Sequence, residues 1–505
     1  MRLSPAPLVV SLVSLVAAVA LARPAAADST LTIPASASIH GVNAAFFHTD
    51  LWVMNRSFTN PIPVTARFRC FTGPCPSSPQ AAFTLAPRES RLFPDALGTL
   101  FSAPETAGAI ELVWNQTLGA LSATSRVYTP QLPSATFGAG IPAFESSDAT
   151  TRAIFLGLGN NGGSTAAGFR SNVGAYNPDL AAATVTFQLL APSGAALGSA
   201  VTRSVGPQQA MQVNDIFANA NAGGTASTNV SLRATSNVPV FFNVTVIDNQ
   251  SGDSVYVLPS SADEITLSPP DMQSVPASAS VHGANGTFFH TDLWARNGSS
   301  TDPITVAAVL HCSLADCNDR SASFTLAAGE TRLYSDVLDS LFGAPGTAGA
   351  ISMSPSSGIG KLTVTTRTYT PSLPAPTNGA AIPGLPLTEL RTRALFLGLA
   401  GSAGDPTTGF RSNAGAYNAL PFGTTVTFSL YDGAGHLLGK KSVAMDGFQA
   451  TQINDVFGSL GAGGTATEDA YLVISAGFPV FGYVTVIDNK SGDSIFVRAT
   501  PDEAP

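Results

Sequence analysis

Apolar residues in this chain come in short runs. Val64 to Cys70, Thr184 to Leu190, Val238 to Ile247, Thr424 to Leu430 and Val480 to Ile487 are rich in Val, Thr and Phe, and clusters of Gly, Pro, Ser and Asn bound them. β-branched and aromatic residues fit a pleated, half-buried surface, and turn signals at intervals of about 8 to 12 residues are the rhythm of a β-sandwich. No long segment repeats at 3.6 residues except an apolar stretch near the N-terminus, so the pattern predicts an all-β fold.

The runs belong to repeats. Ser38-Ile39-His40-Gly41 and Phe46 to Trp52 recur as Ser280-Val281-His282-Gly283 and Phe288 to Trp294, and Val244 to Asn249 recurs as Val484 to Asn489, in each case about 240 positions later. A finer repeat lies inside each half. Phe47-His48-Thr49-Asp50 with Asn55 matches Phe169-Arg170-Ser171-Asn172 with Asn177, and an Asp followed by two apolar residues stands at Asp95, Asp215, Asp336 and Asp455. The predicted plan is four modules of about 120 residues in an A-B-A-B duplication, over 28–148, 149–265, 272–388 and 389–505. Ser261 to Glu264 and Ser268 to Pro270 are the most linker-like stretch. Each Asp landmark reads as one helical turn crossing between sheets, its carboxylate meeting free N–H groups at the start.

These repeats resemble the immunoglobulin-like β-sandwich modules found in tandem in secreted bacterial proteins. The residues that carry the resemblance are the F-[HR]-[ST]-[DN] opening strand, a polar loop such as Asp432-Gly433-Ala434-Gly435, the Asn-Asp-[Ile/Val]-Phe crossover and the closing Asp-Asn-x-Ser-Gly-Asp. The resemblance implies a fold and an exported, non-catalytic role, and implies no reaction.

Met1 to Ala27 has one early Arg, the apolar run Leu8 to Leu21 and small residues at Ala25 and Ala27, as in a signal peptide cleaved before Asp28. No later stretch is long and apolar enough to span a bilayer. The expected location is therefore secreted, extracellular or periplasmic. There Cys70 with Cys75 and Cys312 with Cys317, two copies of C-x4-C, predict a local disulfide at each of two hairpin tips. Only 11% of residues are charged against a usual ~25%, and 33 acidic against 24 basic residues give a net charge of −9, which excludes a basic nucleic-acid surface.

Signatures of chemistry are scarce. The six His form no H-E-x-x-H, and there is no G-x-S-x-G elbow or G-x-x-x-x-G-K-[ST] loop; the single G-x-G-x-x-G, Gly157 to Gly162, has no helix after it and reads as a turn. Asp248 to Asp253 and Asp488 to Asp493 crowd oxygen ligands as a calcium loop does, but offer too few and read as hairpin turns. No metal or cofactor is expected. The sharpest binding candidate is the stripe His48, Asp50, Trp52 with its copy His290, Asp292, Trp294. If Leu51 and Val53 face the core, these residues face outward and could stack on and hydrogen-bond a sugar or peptide. The plainer reading is that this face packs against the next module.

The expected function is a secreted structural, adhesion or binding protein without catalysis, with a glycan or cell-surface protein as partner. The rivals are a polysaccharide-acting hydrolase with a site at a module joint and an inhibitor or scaffold that lends a sheet edge to a partner.

Overall fold

The structure is a computed structural model that describes residues 28–502 apart from 42–44, 78, 131, 133, 165, 225, 262–271, 315–316, 372 and 374. The expected signal peptide and most of the expected central linker lie outside the described residues. The described chain is all-β, with four antiparallel sheets, four single α-helical turns and four short 3-10 turns.

The first sheet runs in the order Gln80–Leu85, Ile62–Thr72, Thr106–Asn115, Asp28–His40, Phe46–Asn55, Leu121–Thr129, Phe137–Pro142. The strand Asp28–His40 belongs to two layers. It pairs with Thr106–Asn115 up to Ser38 and with Phe46–Asn55 from Ile39, and its register shifts between Ile33 and Ser36, around Pro34. Proline cannot donate to a ladder, so the register breaks there, and the strand passes from one partner to the other a few residues later, between Ser38 and Ile39. The third sheet repeats this strand order over residues 273–386, with the shift between Val275 and Ser278, around Pro276.

In the second and fourth sheets the layer change falls elsewhere. Ala226–Asp248 and Ala466–Asp488 are 23 residues long, not the short runs the sequence suggests. The first part of Ala226–Asp248, up to Val240, pairs with Thr150–Asn161 and Ala183–Leu190, and the part from Phe241 pairs with Phe169–Asn177 and Ser254–Val257. The chain crosses between layers without a turn, so no turn residues mark the crossing.

The Asp landmarks do start one helical turn each, Ala96–Thr99, Ile216–Asn219, Val337–Ser340 and Val456–Ser459. All four Asp residues have positive φ, between 40° and 48°, a conformation Asp tolerates better than most side chains. The Asp215 and Asp455 carboxylates accept the N–H groups of Ala218 and Gly458. Asp95 and Asp336 make no such cap, and instead accept hydroxyls of Ser38 and Ser280. Cys70 with Cys75 and Cys312 with Cys317 are disulfide pairs at hairpin tips, with Cα separations of 5.6 and 6.0 Å.

The four sheets close a ring. The first packs on the second through Phe144, Tyr176, Phe241 and Tyr256, and the third on the fourth through Ala350, Leu385, Tyr417 and Phe481. Trp52 and Met54 of the first sheet pack with Leu395, Leu397 and Tyr471 of the fourth. Trp294 and Leu333 of the third pack with Ile154, Leu156 and Leu190 of the second. At the centre of the ring Phe137–Pro142, Ser254–Val257, Asn378–Pro383 and Ser494–Val497, one strand from each sheet, come together, and chain neighbours alone do not make the assembly.

Candidate functional site

The polar residues of the repeated opening strand bind backbone. In all four sheets the Asp or Asn of that strand accepts the backbone N–H of the Asp landmark: Asp50 from Asp95, Asn172 from Asp215, Asp292 from Asp336 and Asn413 from Asp455, at 2.9 to 3.0 Å. The preceding hydroxyl ties the strand to its neighbour, Thr49 to Ala37, Ser171 to Gly159, Thr291 to Ala279 and Ser412 to Ala400. The Asn that closes the motif donates to loop carbonyls, as Asn55 does to Asn60, Leu85 and Ala86. These buried groups satisfy backbone that would otherwise be orphaned, which accounts for their recurrence.

The stripe does point away from its own core, since Leu51 and Val53 are fully buried there. It is not an exposed platform. Trp52 is 6% exposed and Trp294 5%, and His48, Asp50 and Asp292 are buried as well, with His290 slightly more open. The neighbouring sheet covers the face, so the packing alternative describes what the structure shows. The Trp52 indole N–H donates to the Glu468 carbonyl at 2.6 Å and that of Trp294 to the Thr228 carbonyl at 2.9 Å.

Room for each indole comes from a glycine. Gly157, the first glycine of the G-x-G-x-x-G, has φ +78° and sits at a register shift inside the strand Thr150–Asn161. It is a bulge and not the expected turn. A Cβ there would lie 3.1 Å from the Trp294 ring, and Gly398 stands in the same relation to Trp52. Both positions need a left-handed backbone and an empty side-chain volume.

The Asp-Asn-x-Ser-Gly-Asp loops are hairpin turns with Gly252 and Gly492 at φ +76°, and they clasp the sheet across the joint. Asp248 Oδ2 accepts the N–H and hydroxyl of Thr377 while Asp253 Oδ2 accepts the Gly379 N–H. Asp488 and Asp493 hold Thr136 and Gly138 in the same way. Arg126 lies 3.6 Å from Asp493 and Arg367 3.5 Å from Asp253. Each guanidinium stacks on one ring of its own sheet and one of the partner, Tyr128 with Phe410 and Tyr369 with Phe169. Sequence reasoning missed these arginines, although Ser125-Arg126-Val127-Tyr128-Thr129-Pro130 recurs as Thr366 to Pro371.

Burial sets the electrostatics. It pushes the Asp493 carboxyl up to about 7, against the pull of Arg126, and Asp50 up to about 6. Asp253 is raised well above the carboxylate range, by burial first and by the Asp493 charge second. Among the described residues no group of three or more His, Cys, Asp and Glu could hold a metal ion.

Cavities also lie at joints. One of about 40 Å³ between the second and third sheets is lined by Phe169, Trp294 and Arg367, and one of about 210 Å³ between the first and fourth by Arg56, Glu145, Asp148, Glu389, Arg391 and Arg498. Both are below the ~300 Å³ usual for a small-molecule pocket. On the outside, Phe422, Phe448 and Phe478 of the fourth sheet are 59, 45 and 48% exposed, and Phe422 and Phe478 have ring centroids 6.1 Å apart. Among the described residues no helix is long and apolar enough to cross a membrane. Compared with known proteins, the chain matches no family model, and no curated protein is significantly similar to it.

Proposed function

We propose that this protein is an exported structural or binding component, built from immunoglobulin-like modules in an A-B-A-B arrangement and locked into one block. The observation that carries this reading is the use of the repeated polar residues. The opening-strand motif satisfies backbone within each sheet, and the two Asp-Asn-x-Ser-Gly-Asp loops fasten one sheet to another, the second to the third and the fourth back to the first. A molecule whose recurrent polar side chains serve its own joints is selected for shape and rigidity. Two disulfides fit the oxidising compartment that the leader implies.

Binding to a glycan or cell-surface protein then falls to exposed faces of the block, of which the edge carrying Phe422, Phe448 and Phe478 is the most apolar and aromatic. Aromatic rings at a surface offer large contact area at low entropic cost. A panel of glycans, cell-wall fragments and cell-surface proteins screened with the mature protein tests this. Binding that is lost in Phe422→Ser with Phe478→Ser and kept in the parent supports the reading. Binding unaffected by those changes places the surface elsewhere.

A further inference from the structure

One joint carries a row of side chains with the hydrogen-bond order of an acyl-transfer site. His311 lies on the strand Ile304–Cys312 and Ser352 on its neighbour Thr347–Ser357. Leu310, Ile351 and Met353 fill the core of the third sheet, so alternation turns His311 and Ser352 to the opposite face, toward the fourth sheet. His311 Nδ1 is 3.1 Å from Asp319 Oδ2, and His311 Nε2 is 2.9 Å from Ser352 Oγ. The other oxygen of Asp319 accepts the Cys312 N–H at 3.0 Å, so the end of the strand Ile304–Cys312 orients the carboxylate. Tyr417 of the fourth sheet stacks on the imidazole at 4.9 Å, and its hydroxyl interacts with Ser352.

The protonation states follow from the surroundings. Burial lowers the basicity of His311, against the pull of Asp319, which keeps the ring neutral at neutral pH. A proton on Nδ1 facing the carboxylate leaves the Nε2 lone pair for the Ser352 hydroxyl. Tyr417, pushed up to about 12 by burial, remains a hydroxyl donor. The corresponding joint of the first half is built differently. There Arg69 and Tyr176 both bond Glu111, an ion pair without imidazole or aliphatic hydroxyl. Structural sealing of a joint is thus achieved in this fold without the His–Ser pair.

We propose that Asp319, His311 and Ser352 form an acyl-transfer site whose substrates are small carboxylic esters. Ser352 Oγ bonds to the ester carbonyl carbon as its proton passes to His311 Nε2. The bond to the leaving oxygen then breaks as Nε2 returns that proton to it, releasing the alcohol and leaving acyl-Ser352. Water attacks the acyl carbon with its proton taken by Nε2, and collapse returns the proton to Ser352 and releases the carboxylic acid. Asp319 is 54% exposed on its side chain and Ser352 is half-buried, so the row opens to solvent at one end. Phe448 stacks over the imidazole at 6.2 Å and limits the site to small acyl groups. This activity is independent of the structural and binding role, and no local motif announces it because its members meet only across strands and a loop.

The test treats the mature chain with a fluorophosphonate probe and, separately, with p-nitrophenyl acetate. One adduct per chain, mapped to Ser352 by peptide mass spectrometry, is the expected result and needs no variant. Ester hydrolysis should fall by about 10³-fold or more in Ser352→Ala and His311→Gln, and by tenfold or more in Asp319→Asn, which alters an exposed side chain. A folded native chain that gains no adduct at Ser352, or hydrolysis undiminished in Ser352→Ala, overturns the proposal.

Discussion

The Asp50 carboxylate accepts the backbone N–H of Asp95 at 2.9 Å, joining the opening strand of the first sheet to the helical turn that crosses between its layers. Asn172 and Asn413 make the same bond to Asp215 and Asp455, so the position requires an acceptor and not a charge. Asp50→Asn should therefore change stability by less than about 1 kcal/mol, whereas Asp50→Leu leaves a buried N–H unpaired and should cost about 1–3 kcal/mol. Urea unfolding of the two variants beside the parent measures the difference.

Trp52 joins the first and fourth sheets through its ring and its N–H. Trp52→Ala should cost about 3–5 kcal/mol and loosen that joint, exposing it to limited proteolysis while the second and third sheets stay joined. Gly398→Val should loosen the same joint with Trp52 intact, because its Cβ would meet the indole at 3.1 Å and its φ is +72°. Equal protease sensitivity in parent and variants would refute this.

Stability should fall as pH rises through the neutral range. The folded-state values of Asp50, Asp292, Asp253 and Asp493 are raised, chiefly by burial. Their stabilisation is therefore fully present below the unfolded carboxylate value of ~4 and is lost as pH climbs toward the about 6 of Asp50 and about 7 of Asp493. The folded protein should be harder to unfold at pH 5 than at pH 7.5, and Asp493→Asn, which can still accept the Gly138 N–H, should flatten that dependence. Thermal unfolding across this range provides the check, and a rise in stability with pH would contradict it.

The all-β class, the four landmark turns and the disulfide pairs were legible because each is written in local residue choice: β-branched runs, an Asp before two apolar residues, and C-x4-C. What escaped local reading was tertiary. His48, Asp50 and Trp52 alternate with core residues, which says that they leave their own core and allows packing on another module, but nothing along the strand says that the fourth sheet, last in the chain, is the one that covers Trp52. Gly157 breaks a strand pattern as a turn would, and only the facing Trp294 ring shows that it is a bulge. His311 and Ser352 are 41 residues apart and share no spacing rule.

The ring of four sheets is held shut by Thr136 with Asp488 and Thr377 with Asp248. Small-angle X-ray scattering of the mature protein tests it most directly. A compact chain of this length should give a radius of gyration of about 23 Å and a scattering curve typical of one rigid body. A value well above 30 Å, with the signature of flexibly strung modules, would contradict the account.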